Sequence, residues 1–358
     1  MNLFNKSEWG SMSPIFFLFA FMPSFQNNCL SLYSMKTAQQ IQDSFENYLQ
    51  GLDYSREPLG LYAPIRYVLS LGGKRIRPTL LIMAYNMYAQ DIESVFDAAA
   101  GMEIFHNFTL LHDDLMDKAD LRRGQPTVHK KWDENAAILS GDGMLVLAYR
   151  YLANASANNL KKILDIANDT FTGIMEGQQY DMEFETRDDV TEAEYIEMIR
   201  LKTSVLLAAC VQIGAVIGGA CDADARLLYE FGEKVGLAFQ LQDDLLDVYG
   251  DSAVFGKKIG GDILCNKKTY LYINAYLLAN SQQKDELDRW AKYDGNDPDA
   301  KIAAVRSIYD AVGVKELSEK LINSLFCEAL KKLDQVNLSQ SQKQPLKEYA
   351  QSLMNRVL

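Results

Sequence analysis

The acidic pattern D-D-x-x-D occurs twice in this chain, as Asp113-Asp114-Leu115-Met116-Asp117 and as Asp243-Asp244-Leu245-Leu246-Asp247. Each copy follows an apolar run, residues 108–111 and 237–241, that reads as buried helix. On a helix, residues four apart share a face, so Asp113 projects with Asp117, and Asp243 with Asp247. Like charges at that spacing destabilise a helix by roughly 0.2–0.5 kcal/mol, and Asp is a mediocre helix former besides. A chain that accepts this twice beside its core has cations to bind. Carboxylate oxygens suit Mg²⁺, which keeps several waters and bridges carboxylates to phosphates. The pattern therefore points to chemistry on a diphosphate.

The fold that must carry these motifs is all-α. Of eight prolines in 358 residues, none lies between Pro126 and Pro298, and strict apolar–polar alternation is scarce. A hydrophobic content of 48% supports a large core. The formal net charge of −12 argues against a nucleic-acid partner, because a phosphate backbone needs a basic footprint. Five scattered cysteines (Cys29, Cys210, Cys221, Cys265 and Cys327) show no C-x-x-C spacing and read as reduced thiols of a cytoplasmic protein.

No stretch reaches ~18 consecutive apolar residues, so no stable membrane insertion is expected. The run 15–22 is apolar, but it lacks the basic flank and small-residue site of a signal peptide. A fresh amphipathic pattern begins at Met35. Residues 1–34 are expected to be an extension outside the fold, and 35–358 a single helical domain.

Helical spacing predicts helices over 37–54, from Pro58 to Leu71, over 79–89 and over 98–116, the last ending in the first acidic motif. Further helices are expected over 136–151, 160–184 and 192–209. The last of these is capped by Thr191 with Glu194 three residues on. Residues 227–249 carry the second motif, helices resume over 270–290, and two amphipathic helices close the chain after Pro298. Basic loops follow both motifs, Arg122-Arg123 after the first, and Lys257-Lys258 and Lys267-Lys268 after the second. Together, carboxylates and Lys/Arg supply what diphosphate oxygens require. Glu103 and His106 form an E-x-x-H, half of a di-iron site, but the other histidines, His112 and His129, supply no second half.

The stretch LLHDDLMDKADLRRGQPTVH (110–129), with GGKRIRP (72–78), LKT (201–203) and FQLQDDLLDVYGD (239–251), resembles the trans-isoprenyl diphosphate synthases, the farnesyl/geranylgeranyl group. The resemblance covers roughly residues 54–270, with every motif in order. It implies a helical bundle around a deep cavity, with the acidic helices facing each other across its mouth. It further implies three Mg²⁺ ions on an allylic diphosphate. Asp113 and Asp117 would bind two of them and Asp243 the third, with Asp114, Asp244 and Asp247 in support. Ionisation would give an allylic cation, which isopentenyl diphosphate attacks through its double bond. By the same resemblance Lys74, Arg77, His106 and Arg123 match the isopentenyl diphosphate site, and Arg122 an allylic diphosphate contact. Lys202, Thr203 and Gln240 match the groups around the nascent cation, Lys257 and Lys267 diphosphate-binding lysines, and Asp181 a polar position near the metals. Each of these taken singly would read as a solvated charge, helix packing or a core histidine; their joint order carries the assignment. A homodimer is implied as well.

Phe108, five residues before Asp113, is the expected floor for the growing chain. An aromatic residue there, with no insertion in the first motif, resembles C20-type short-chain enzymes, with the C15 product as rival and longer-chain synthases as the alternative. A terpene cyclase shares the fold, but residues 243–251 lack its second motif, N/D-x-x-S/T-x-x-x-E. A non-catalytic partner subunit usually loses the acidic motifs, and this chain keeps both.

Overall fold

Helices begin where the sequence supplies caps and end where it supplies glycine or a polar turn. The computed structural model describes residues 35–155, 158–250, 259–293 and 295–355. The extension 1–34 and Lys257 lie outside these described residues. Helix α1 (Ala38–Gln50) opens with a capping box between Thr37 and Gln40 and buries Ile41, Phe45 and Leu49, a stripe at four-residue spacing. Helices α2 (Leu59–Ser70) and α3 (Ile76–Asn86) follow, with Pro78 in the first turn of α3, where a missing N–H costs nothing. Helix α4 (Phe96–Met116) ends one residue before Asp117.

Residues Leu121–Arg122 (β1) and Gln125–Pro126 (β2) form a minimal antiparallel hairpin, the one sheet among the described residues. It leads through α5 (Val128–Lys131) into α6 (Glu134–Leu152) and α7 (Leu160–Phe184). Helix α8 (Glu192–Ile199), capped by Thr191 and Glu194 as expected, runs through a five-residue π turn, Arg200–Ser204, into α9 (Val205–Gly218). Its expected end at 209 is overrun, because the apolar residues beyond continue the same helix. The combined stretch Glu192–Gly218 is long and apolar enough to cross a membrane, although Arg200 and Lys202 interrupt its apolar run. Of its most apolar window, 72% is buried inside the fold, which marks a core helix.

Helix α10 (Asp222–Tyr249) carries the second motif near its C-terminal end. The remaining described helices are α11 (Gly261–Leu264), α12 (Tyr270–Leu278), α13 (Ser281–Ala291), α14 (Pro298–Val312), α15 (Val314–Gln335) and α16 (Gln340–Met354). Three helices therefore close the chain where two were expected. Gly313, at φ 75°, ends α14 in the left-handed region that suits glycine, and α15 starts at the next residue.

The main packing contacts form a row: α6 against α4, α4 against α3, α3 against α9, α9 against α10, and α10 against α15. One buried cluster spans α1 to α7 and α9 with the N-terminal half of α10 and parts of α15 and α16, and a second joins α8, the C-terminal half of α10 and α11 to α15. Both acidic motifs thus sit at the ends of long helices anchored in core.

Candidate active site

A cavity of about 250 Å³ opens at the C-terminal end of α10. Asp243, Asp244 and Asp247 line it from α10, Lys202 and Thr203 from the π turn, Asp181 from α7, and Asp262 and Lys267 from α11 and the loop after it. Leu241, Leu245 and Leu246 face the core, which leaves Asp243 and Asp247 half-buried one turn apart on the open side. The backbone N–H of Asp262 donates to Asp247 Oδ2 at 2.9 Å, and the Lys267 N–H donates to the Asp262 carbonyl at 2.9 Å. This ties the lysine loop to the motif.

The first motif reaches the same cavity through Lys202. Its ammonium lies 3.2 Å from Asp113 Oδ1 and 2.6 Å from Asp181 Oδ2. The π turn carries Lys202 there, and Gly177 of α7 permits it: a Cβ at Gly177 would sit 2.4 Å from the Lys202 backbone nitrogen. Burial disfavours the charge on Lys202, but Asp113 and Asp181 outweigh it and raise its pKa. Burial also opposes the charge on Lys267, and Asp181, Asp262, Asp117 and Asp113 overcome it. Asp117 shows the converse. Partial burial and then the Asp113 charge push its carboxyl upward, against Lys202 and Lys267.

Asp114 turns inward. It is 5% exposed and accepts three contacts from Arg122: Nε at 3.0 and 3.1 Å and Nη2 at 2.6 Å. Arg122 thereby also comes to 3.6 Å from Asp113. Asp244 plays the matching part in α10. It accepts from the Tyr195 hydroxyl, and from Gln240 Nε2 at 3.0 Å. Burial, then Asp262 and Asp243, push its carboxyl well up against those two donors. Because Gln240 gives its amide N–H to Asp244, its Oε1 is free to accept from Thr203 Oγ1 at 3.0 Å. Tyr195 and Asp262 are functional candidates that motif reading missed, since neither falls in a motif and only the folded chain brings them to the aspartates.

A second, basic basin lies along α3, α4 and the hairpin. Arg77 Nη1 is 3.0 Å from His106 Nε2. Guanidinium can only donate, so this ring nitrogen accepts and the imidazole proton belongs on Nδ1. Burial, then Arg77, Arg123, Arg122 and Arg75, hold the His106 pKa well below 6.5. Arg123 donates to the Gly72 carbonyl, bringing the hairpin to the GGKRIRP loop. Among the described residues neither Arg77 nor Arg123 has a carboxylate within 4.0 Å, and Arg77 Nε is buried without a partner. Burial and neighbouring cations lower the pKa of both arginines. Such a basin is short of negative charge.

Phe108 is 7% exposed, edge-on to His112 with centroids 4.8 Å apart, and 5.5 Å from Phe105, which stacks on Phe171 of α7. The ring is thus part of an aromatic column between α4 and α7; it does not line the 250 Å³ cavity.

The donor set fits Mg²⁺. Among the described residues no three carboxylate, histidine or cysteine side chains form a ready-made metal cage. Mg²⁺ does not need one, because it takes one or two carboxylates and completes its shell with water and substrate phosphate. Asp113, Asp117, Asp181 and Asp262 surround the two ammonium groups of Lys202 and Lys267, which leaves carboxylate charge in excess.

Comparison with known proteins agrees with this geometry. The polyprenyl synthetase family profile matches residues 59–310. The chain is 42% identical over 279 residues to a geranylgeranyl diphosphate synthase of Methanosarcina mazei, covering 77% of this chain and 84% of that protein. It is 38% identical over 291 residues to a geranylfarnesyl diphosphate synthase of Natronomonas pharaonis, covering 75% and 83%. A crystal structure of a geranylgeranyl pyrophosphate synthase superposes with TM-score 0.86 at 41% identity, over 90% of this chain and all of that one. Another, from Corynebacterium glutamicum and complexed with isoprenyl diphosphate and magnesium, gives TM-score 0.78 at 29% identity, over 89% and 98%.

Proposed function

The chain belongs to the polyprenyl synthetase family and is a short-chain trans-prenyltransferase, and from that premise we propose how its site works and where its product stops. Asp113 and Asp117 would hold two Mg²⁺ ions and Asp243 a third, with Asp114, Asp244 and Asp247 in support. When bound, the ions neutralise the leaving diphosphate and ease heterolysis of the allylic C–O bond. Lys267, with Arg122 and Lys257, neutralises the remaining phosphate charge, and Lys202 stands with the groups around the nascent cation. Thr203 and Gln240 line the space where the allylic cation develops, and the Gln240 amide oxygen presents the negative end of its dipole there. Lys74, Arg77, His106 and Arg123 hold isopentenyl diphosphate, whose double bond supplies the electron pair for the new C–C bond. The proton then lost passes to the departed diphosphate, so no side-chain base is required. The observation that carries this reading is Lys202, which touches Asp113 of the first motif while lining the cavity of the second.

The main product in this reading is geranylgeranyl diphosphate, with Phe108 as the floor. The names of the relatives bracket C20 and C25, and the C15 product remains the rival on the short side. Purified protein is incubated with Mg²⁺, isopentenyl diphosphate and an allylic diphosphate, and the products are sized. A C20 diphosphate from the wild type and longer products from Phe108→Ala are expected. Unchanged length in the variant removes Phe108 as the floor. Hydrocarbon from farnesyl or geranylgeranyl diphosphate alone means a cyclase, and no turnover means a non-catalytic subunit.

The protein works as a cytoplasmic homodimer in this reading. Ile138, Leu139 and Val146 on α6, with Met175 and Met182 on α7, are exposed apolar side chains suited to a second copy. A chain starting at Met35 is expected to keep the activity, measured in the same product assay.

A further inference from the structure

Glu103 of the E-x-x-H on α4 and the first arginine of GGKRIRP, Arg75, have no direct part in the site as described so far. Arg75 stands between Lys74 and Arg77 in sequence and would be grouped with them as a phosphate ligand. Its side chain does something else. It is 4% exposed, and each of its three guanidinium nitrogens is engaged: Nε to Glu46 at 2.9 Å, Nη1 to Glu103 at 2.8 Å, and Nη2 to the Leu69 carbonyl at 3.0 Å. These partners belong to α1, α4 and α2, so one guanidinium joins three helices around the loop.

The loop needs such an anchor. Gly72, Gly73 and Arg75 all have positive φ (74°, 147° and 46°), a conformation no regular backbone ladder enforces. For Arg75, a residue with a Cβ, the left-handed region is unfavourable, and its contacts must hold it there. Its carbonyl accepts from Thr79 Oγ1 at 2.7 Å, which starts α3. Two residues on, Arg77 meets His106 at 3.0 Å. Glu103 and His106 lie three apart and therefore on one face of α4. An R-x-R at the start of α3 thus engages E-x-x-H on α4, arginine by arginine. Asn107 completes the grip by donating to Glu103 Oε1 at 3.3 Å. Glu103, 2% exposed, also favours the charged forms of Arg77 and Arg123 across the basin.

We infer that Arg75 and Glu103 are positioning residues for isopentenyl diphosphate: with the Arg77–His106 contact they latch the basic loop to α4 and fix where Lys74 and Arg77 present their charge. This rests on the assignment of Lys74, Arg77, His106 and Arg123 to that substrate. Lysine cannot replace Arg75, because a single ammonium has no fork to span three fixed acceptors.

The test separates KM for the two substrates in the full chain. Glu103→Gln keeps the shape and removes the charge. It is expected to raise KM for isopentenyl diphosphate about tenfold while KM for the allylic substrate stays within about twofold. Glu46→Gln, at the half-exposed arm of the latch, is expected to give the same selectivity at about threefold. The double variant Arg75→Met/Glu103→Leu removes the buried pair together, a change cores tolerate better than a lone buried charge. If the pair only supports the fold, the double variant regains wild-type KM; if it positions the loop, the selective rise persists. Both KM values rising together, or neither rising, overturns the inference. Arg77→Ala is the control for the underlying assignment. An unchanged KM for isopentenyl diphosphate there refutes the subsite itself, whereas a raised KM there with normal values for the Glu46 and Glu103 variants refutes the latch alone.

Discussion

His106 shows how one residue's surroundings set its chemistry. An imidazole kept neutral first by burial and then by Arg77, Arg123, Arg122 and Arg75, with Glu103 one turn away, stays uncharged well below pH 6.5. The unfolded chain binds a proton on this residue as pH falls through 6.5, and the folded chain does not. Its contribution to stability is therefore fully present above 6.5 and is lost on acidification, by at most about 1.4 kcal/mol per pH unit. Melting curves should show a smaller loss between pH 6.5 and 5 in His106→Gln than in the wild type; parallel curves would mean that His106 is not held neutral. Residue type and motif order made this histidine a candidate in the sequence. Its tautomer, its arginine partner and its pKa were not legible there, because they depend on α3 and the hairpin folding against α4. Tyr195 was illegible altogether, since its hydroxyl meets Asp244 only through the packing of α8 on α10.

At the scale of elements, periodicity and capping residues located the helices well: α7 spans 160–184 as expected, and Thr191–Glu194 opens α8 with a capping box. What spacing could not give was the π turn over Arg200–Ser204. Its surroundings are tertiary: α7 passes so close to the Lys202 backbone that a Cβ at position 177 would sit 2.4 Å from its nitrogen, and only glycine fits there. Gly177→Ala puts a methyl group into that contact. Overpacking of this kind costs about 1–3 kcal/mol, and the displaced backbone carries Lys202 away from Asp113 and Asp181. The variant should melt lower and lose at least about tenfold in kcat, since a misplacement of about 1 Å can cost a hundredfold. A variant with lowered melting temperature but wild-type kcat would separate this glycine from the placement of Lys202. The split of the C-terminal region into three helices escaped for a similar reason, as amphipathic spacing runs through Gly313 without revealing its left-handed backbone.

For the whole molecule, the twin acidic motifs were the most legible feature because their chemistry is local, whereas their meeting is not. The row of helices from α6 to α15 puts both motifs at the ends of core helices, and Lys202 connects the first to the cavity of the second. The central claim is that the two motifs are opposing halves of one metal clamp that closes on a diphosphate. Counting bound Mn²⁺ by electron paramagnetic resonance, with a non-reactive allylic thiolodiphosphate present, tests it most directly. The wild type should bind about three ions per chain, Asp243→Ala about two, and Asp113→Ala/Asp117→Ala about one, with few ions held by the wild type when the diphosphate is omitted. A count that stays the same in either variant, or a full count without the diphosphate, would contradict the clamp.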